Sequence, residues 1–300
     1  MTALTRLVIV VSAMAMFTAY APARADDAGA SSAPRIVLER YPLRFIDRPL
    51  VIPNKSIRLD GAVRVDHHLP PSGNSGSIIL GGAVSFLDNL EIGISPYRVG
   101  APSPTQLEGA LPLRFATDFE AGSIPVYARY GFGHGTGLRA ALDAGVIIPL
   151  RSELDFGLLV ALITRVPLGS RVVIDTGLQA RIFFRDGKGV TEAGQPDDGD
   201  TDVLPEVPVH VMVQITDQLW AGARVGLKWP KFDPDTFTVA MGAELGYTFS
   251  AYGSPAADVF VRFDMPRLFV PNADVTPMRV NQEEWQLTMA LRGYIDVARK

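Results

Sequence analysis

Apolar and polar residues alternate along most of the chain. In the stretch SIRLDGAVRVD, the odd-numbered positions are Ile57, Leu59, Gly61, Val63 and Val65. The even-numbered positions between them include Arg58, Asp60, Ala62, Arg64 and Asp66. Because successive side chains of a strand point to opposite faces, this stretch predicts a strand with one apolar face and one charged face.

The alternation returns in many further segments and is clearest over residues 172–184, where Ile174 and Leu178 oppose Asp175 and Arg181. The strand-like segments lie near residues 57–65, 78–87, 90–97, 111–119, 124–132, 138–146, 154–163, 172–184, 207–215, 219–227, 237–249, 259–263 and 285–291. No amphipathic helix of useful length interrupts them. A bacterial single-chain barrel has an even number of strands. The sequence therefore predicts about twelve strands, with ten and fourteen as the alternatives.

The connections between these segments alternate between tight and long, as a meander requires. Short turns are expected at residues 88–89, 120–123, 149–152 and 217–218, and long loops at 67–76, 98–109, 186–205 and 265–283. With thirteen segments, the loop Asp186 to Pro205 falls on the side of the short turns. One segment is therefore miscounted.

Two kinds of fold alternate in this way, a soluble β-sandwich and a transmembrane barrel. Crossing a bilayer takes about 9 to 11 tilted residues, which these segments reach, whereas strands of soluble proteins average about 5 or 6. The polar face carries Arg, Asp, Gln and small residues rather than the Lys and Glu of a solvated surface. The sequence thus predicts an all-β, closed antiparallel meander that spans a membrane, with lipid outside and a polar lumen inside. The aromatic residues expected at the lipid interfaces are Tyr97, Phe132, Phe184, Trp229, Phe249 and Trp285.

The N-terminus predicts export. Arg6 precedes an uncharged apolar run from Leu7 to Tyr20, and Ala23-Arg24-Ala25 offers small residues to signal peptidase. The expected organisation is a cleaved signal peptide over residues 1–25, an irregular arm over 26–55 and the barrel over 56–300. Cysteine is absent, which excludes disulfides and thiolate sites, and a net charge of −4 gives no indication of nucleic-acid binding.

The exported chain resembles a Gram-negative outer-membrane β-barrel. The stretch IDRPLVIPNKSIRLDG, Ile46 to Gly61, followed by repeated alternating strands, is similar to a poorly characterised group of barrels that open with an Arg-Pro-Leu segment. The resemblance implies an outer-membrane location and the outer-membrane assembly machinery as a partner. Such barrels commonly end on an aromatic residue, whereas this chain has Tyr294 in its last strand and ends on Arg299 and Lys300.

The inward face supplies the candidate functional residues, which line the expected lumen. They are Arg58, Asp60, Arg64, Arg129, Arg139, Asp143, Asp155, Asp175, Gln179, Arg181, Arg224, Glu244 and Arg292. These side chains either bind a small polar or ionic solute or neutralise one another in salt bridges that fill the barrel. Both interpretations stay open at this point.

Other motifs favour no specific chemistry. Adjacent His67 and His68 point apart, and the acidic run over residues 197–202 lacks the spacing of a calcium loop. The glycines of residues 131–137 precede a strand rather than the helix that phosphate binding requires. With four histidines and no recognisable nucleophile, the sequence predicts no enzyme, no metal and no cofactor.

The sequence thus predicts an outer-membrane barrel that acts as a narrow pore or transport component for small solutes, with the lipid bilayer as its first partner. The alternatives are a non-conducting structural barrel and a secreted soluble β-sandwich that binds a ligand.

Overall fold

The structure is a computed structural model that describes residues 41–67, 74–94, 113–115, 119–120, 123–132, 137–149, 156–184, 201–229, 237–270, 279–280 and 284–297. A 3₁₀ turn at Phe45–Asp47 precedes the strands. The strands are β1 (Ser56–His67), β2 (Asn74–Leu87), β3 (Leu90–Ile94), β4 (Leu113–Phe115), β5 (Phe119–Glu120), β6 (Ser123–Phe132), β7 (Arg139–Pro149), β8 (Phe156–Pro167), β9 (Val172–Phe184), β10 (Asp202–Gln214), β11 (Leu219–Lys228), β12 (Thr238–Ala251), β13 (Ser254–Val270), β14 (Arg279–Val280) and β15 (Trp285–Asp296). The expected signal peptide lies outside the described residues.

The strands close into one antiparallel ring. The first strand pairs with β2 on one side and with the last strand, β15, on the other, in a register that runs from Ser56 opposite Asp296 to His67 opposite Trp285. Twelve strands form the ring, and the short β4, β5 and β14 lie outside it. Closure pairs the edge strands, which a bilayer demands because it offers no water to unpaired backbone groups. The predicted meander barrel is confirmed, and the soluble sandwich is excluded.

The miscounted segment is residues 111–119. Where the structure describes it, this segment is not one of the ring strands: β4 pairs with β2 at Ser77 and Ile78, and β5 pairs with β4. Without it the connections fall into a shorter set of six residues or fewer and a longer set of six residues or more. Five short connections at residues 88–89, 133–138, 168–171, 215–218 and 252–253 share one end, and the loop after Phe184 joins the long connections at the other end. The expected short turn at residues 149–152 also lies at that long-loop end. In outer-membrane barrels the short turns face the periplasm, so the first strand starts and the last strand ends there.

The outer face of the ring is apolar. Alternate side chains are about half exposed, with exposed fractions between 48% and 56% for Leu59, Val160, Leu162, Leu178 and Leu245. A soluble protein would leave this band in contact with water, at a cost of about 25 cal/mol for each Å². The band is instead a lipid-facing surface, and barrels of this kind span the outer membrane. The resemblance to outer-membrane barrels is confirmed. Among the described residues, no helix is long and apolar enough to cross a bilayer.

Several of the predicted interface aromatics lie at strand ends on this outer face. Phe132, Phe184 and Phe249 are exposed, whereas Trp229 and Trp285 are half-buried. Tyr97 lies outside the described residues. Phe184 stacks on Phe156 with ring centroids 6.2 Å apart. Their contact with lipid headgroups stays a prediction.

The interior of the ring holds the N-terminal segment. Residues 41–55, here called the plug, precede β1 and lie among inward-facing side chains of most of the ring. The plug buries Tyr41, Phe45, Ile46, Arg48, Leu50, Val51 and Ile52. The irregular arm of the sequence analysis is therefore partly an internal element of the barrel.

Candidate functional site

The inward-facing residues that the sequence singled out lie together inside the ring. Twelve of the thirteen are buried, with exposed fractions of 7% or less, and the remaining one, Asp155, lies outside the described residues. The structure adds charged residues that the sequence analysis did not place in the lumen: Glu91, Arg165, Glu206, His210, Asp258, Arg262 and Asp264. Whether any of them binds a solute stays a prediction.

Many of these charges neutralise one another across neighbouring strands. Arg129 and Asp143 are register partners on β6 and β7, and the Arg129 Nε atom lies 2.7 Å from the Asp143 Oδ1 atom. Arg165 and Asp175 repeat the arrangement on β8 and β9 at 2.6 Å. Buried charges without such partners would cost several kcal/mol each. The salt-bridge interpretation therefore describes much of the lumen.

A second cluster of polar side chains surrounds Glu91 on β3. Arg58 pairs with Asp60 at 3.0 Å and with Glu91 at 3.2 Å, and the Tyr127 hydroxyl donates to Glu91 over 2.6 Å. Glu91 also accepts a hydrogen bond of 3.0 Å from the backbone N–H of Ile52 in the plug. The cluster thus ties β1, β3 and β6 to the plug.

Arg48 anchors the plug to the opposite wall. Its guanidinium donates to Asp258 over 2.6 Å, to the Tyr294 hydroxyl over 2.9 Å and to Thr248 over 3.1 Å. It also lies 5.0 Å from the ring centroid of Phe45, within cation–π distance. Burial alone would lower the pKa of Arg48, but the adjacent Asp258 carboxylate raises it above its ordinary value. Arg48 is therefore a permanent cation inside the barrel.

Two further arginines explain why the plug sits where it does. Arg139 and Arg165 are direct register partners on β7 and β8, an arrangement of like charges that destabilises a bare sheet. Both donate to the backbone carbonyl of Arg48, over 2.8 and 2.9 Å, and Arg139 also donates to the carbonyl of Asp47 over 3.0 Å. On β6, Arg129 donates to the carbonyl of Leu50 over 2.9 Å. The wall thus supplies cations to the carbonyl groups that the irregular plug backbone leaves unpaired.

Apolar contacts complete the attachment of the plug. Phe45 stacks on Trp220 with ring centroids 4.2 Å apart, and Leu50 packs in a cluster with Ala141, Ala161 and Ile163. These wall residues point inward although they are apolar. They made the alternation of residues 154–163 irregular, because both faces of β8 are apolar where it meets the plug. Apolar residues at inward positions were thus the sequence signal for a plug.

A third group of charges lies in the half of the lumen nearer the long loops. Arg64 pairs with Asp66 at 3.0 Å, and Arg224 with Asp264. Glu244 accepts from Arg262 over 2.7 Å and lies 3.1 Å from the His210 Nε2 atom. On β10 to β13 the plug contacts residues near the periplasmic ends of the strands, such as Gln214 and Thr248. This group therefore lies on the long-loop side of the plug.

The other motifs of the sequence show no built site in the part of the chain described. There, no three His, Cys, Asp or Glu residues group as metal ligands. The His67 ring stacks on Trp285 with centroids 5.1 Å apart, and His68 lies outside the described residues. Most of the acidic run lies outside them too. After the glycines, the next described element is the strand β7 rather than a helix.

No protein-family model matches this sequence, and no curated protein is similar to it at a significant level. Among solved structures, the chain is similar to an outer membrane channel from Pseudomonas putida F1, with a TM-score of 0.51 and 10% identity over 81% of this chain and 97% of the channel. The NanC porin has a TM-score of 0.48 and 10% identity over 79% of this chain and 98% of its own. The KdgM porin in complex with disordered oligogalacturonate has a TM-score of 0.46 and 7% identity, with coverages of 79% and 98%. The similarity to the Pseudomonas channel shows a shared fold, the outer-membrane β-barrel.

Proposed function

We propose that the protein is a narrow outer-membrane pore for small polar solutes, with the plug as a resident part of its lumen. The observation that carries the proposal is the buried ring of charged side chains between an apolar exterior and the plug. A barrel that served only to anchor itself in lipid could fill its interior with apolar side chains, which cost less to bury than paired charges. A lumen lined by charges of both signs suits the passage of hydrated solutes.

The plug stays in place during conduction. Its displacement would expose five buried apolar side chains, each worth about 1.5–3 kcal/mol, and would strand the Asp258 carboxylate that Arg48 neutralises. The open population implied by about 10 kcal/mol is below roughly one molecule in a million. Solutes therefore pass beside the plug, which sets the width of the pore.

Planar-bilayer recording tests this proposal, and the absence of cysteine in the chain allows a clean cross-link. The variant Leu50→Cys/Ala161→Cys places thiols on plug and wall, and a short bis-maleimide reagent with a cleavable linker joins them. The expected result is discrete conductance steps in the wild type and steps of equal size in the cross-linked variant. The same variant without reagent is the control.

Two outcomes contradict the proposal. Closure of the cross-linked pore, reversed by cleavage of the linker, would show that the plug must move. Silent bilayers with folded protein would favour the structural alternative, which the many internal ion pairs also support. A non-enzymatic role is part of the proposal, since each of Asp143, Asp175 and Glu244 is held in an ion pair with an arginine. Outer-membrane assembly machinery is the proposed partner during insertion.

A further inference from the structure

A row of apolar residues runs around half of the inner wall. Each member lies directly opposite the next on the neighbouring strand, from β11 through β12, β13 and β15 to β1 and β2. The members, here called the apolar belt, are Trp220, Gly246, Phe260, Ala290, Ala62 and Ile79. All six are buried. Because they share one register, they form a continuous layer rather than scattered apolar positions.

The rows of inward-facing residues on either side of the belt are polar. Two residues further along the strands toward the long loops, the same register joins Glu244, Arg262, Thr288, Arg64 and Ser77. Two residues toward the periplasm, it joins Thr248, Asp258, Arg292 and Asp60. The belt is therefore a thin apolar layer between two charged layers of the same wall.

The plug extends this layer into the lumen. Phe45 of the plug stacks on Trp220 with ring centroids 4.2 Å apart. Phe45 and Ile46 belong to the same cluster of buried apolar side chains as the belt, and Val173 and Met212 carry that cluster onto β9 and β10. The belt and the plug thus form one apolar layer inside the ring.

The Phe260 ring is held in the layer by one arginine from each charged row. The guanidinium of Arg262 lies 5.5 Å from the ring centroid and that of Arg292 lies 5.6 Å from it, both within cation–π distance. Both guanidiniums are ion-paired, Arg262 with Glu244 and Arg292 with Asp60, so their positions are fixed. The ring centroid also lies 5.9 Å from that of Trp220. These contacts keep Phe260 across the inner face of the belt.

An ion that crosses an apolar layer must shed water, and apolar side chains do not replace the lost hydrogen bonds. Hydrophobic constrictions therefore close channels to ions and water without a tight steric block. We infer that the apolar belt is the gate of the pore, and that Phe260 is the side chain that turns aside when a solute passes. The other large ring of the belt, Trp220, stacks on the plug, which stays in place. This inference rests on the proposed pore function and locates the point at which the pore is closed.

The test compares two substitutions of nearly equal size, Phe260→Asn and Phe260→Leu. Only asparagine offers hydrogen-bonding groups to water, so a hydrophobic gate opens in the first variant and stays closed in the second. Ala290→Cys, directly opposite Phe260, supplies the only thiol of the full chain. A charged methanethiosulfonate reagent is expected to label this thiol at least tenfold faster in Phe260→Asn than in Phe260→Leu. The labelling rate does not depend on conductance.

Two controls separate a gate from a loosened fold. Leu159→Asn makes the same chemical change at an inward-facing, buried position of β8 that is not part of the belt, and it should leave the labelling rate unchanged. Migration on unboiled SDS gels shows which variants are folded. Where Phe260→Asn does not fold, Ile79→Asn and Ile79→Leu make the same comparison on β2.

Planar-bilayer recording of the same variants separates this inference from the proposed function. The mean current per inserted molecule should rise at least threefold in Phe260→Asn and keep its wild-type value in Phe260→Leu. Equal labelling rates in the two variants, or an equal rise in Leu159→Asn, would overturn the gate. Conductance steps together with equal labelling rates would keep the pore and remove the gate. Faster labelling in Phe260→Asn with silent bilayers for every variant would keep the belt as a water barrier and remove the pore.

Discussion

The plug anchor gives the sharpest prediction about this molecule. Replacing Arg48 by alanine removes the only plug cation that contacts Asp258 in the described part of the chain. The Asp258 carboxylate then keeps two neutral donors, the hydroxyls of Tyr294 and Thr248, which lie 2.6 and 2.8 Å away. Its register partner Arg292 already pairs with Asp60. We expect the plug to stay in the lumen but to detach more often.

The magnitude follows from the cost of a stranded charge. Breaking a buried ion pair from one side typically costs 3–5 kcal/mol, and the two remaining hydrogen bonds place this case near the lower bound, at about 3 kcal/mol. Each 1.4 kcal/mol is a factor of ten in an equilibrium constant, so the detached population should rise about a hundredfold. Truncating Asp258 as well removes the stranded carboxylate and should reverse part of the rise.

Thiol labelling measures this population, because the chain has no cysteine of its own. The substitution Val51→Cys puts a thiol of similar size at a plug position that is 5% exposed. When the plug closes faster than the reagent reacts, the labelling rate is proportional to the detached population. Arg48→Ala is expected to raise that rate about a hundredfold.

The control removes an equivalent ion pair elsewhere. Arg64→Ala breaks the buried pair with Asp66, and neither residue is hydrogen-bonded or ion-paired to the described residues of the plug. An equal labelling rate in the wild type and Arg48→Ala, or an equal rise in Arg64→Ala, would refute the claim that the contact of Arg48 with Asp258 holds the plug in place.

Two further predictions concern the wall. Leu178→Lys places a charge at the middle of β9 on the lipid face and should lower the free energy of unfolding by about 2–4 kcal/mol, measured by urea unfolding in vesicles; an unchanged value would mean that this face does not meet lipid. A Cβ atom on Gly246 would collide with the Trp220 ring, so Gly246→Ala should shift the tryptophan fluorescence and destabilise the plug. Gly293→Ala, where a Cβ atom meets nothing within 4 Å, should leave both unchanged, and a shift there would show that the effect is not local.

The sequence predicted the wall well because the two sides of a barrel impose a strict period of two. Leu178 and Arg181 differ in face for the same reason that lipid and lumen differ in polarity, and no tertiary detail is needed to see it. The same rule failed at residues 111–119, because local alternation cannot tell a barrel strand from the short hairpin of β4 and β5.

The plug was beyond such reasoning. Its residues have no period, and their placement depends on contacts more than a hundred residues away, such as Arg48 with Asp258. In the sequences of the wall strands the plug left only indirect signals. These were apolar residues at inward positions, such as Trp220 and Ile163, and the paired arginines Arg139 and Arg165.

The central claim is that alternate side chains of the ring contact hydrocarbon while the others face the lumen. Nitroxide labels placed one at a time along residues 173–182 of β9, in folded protein in vesicles, test it most directly. Oxygen concentrates in lipid and speeds the spin relaxation of nitroxides that it meets. It should therefore raise the relaxation rate of labels at even-numbered positions and leave that of labels at odd-numbered positions unchanged. Even-numbered positions that respond instead to a water-soluble nickel complex would contradict the account.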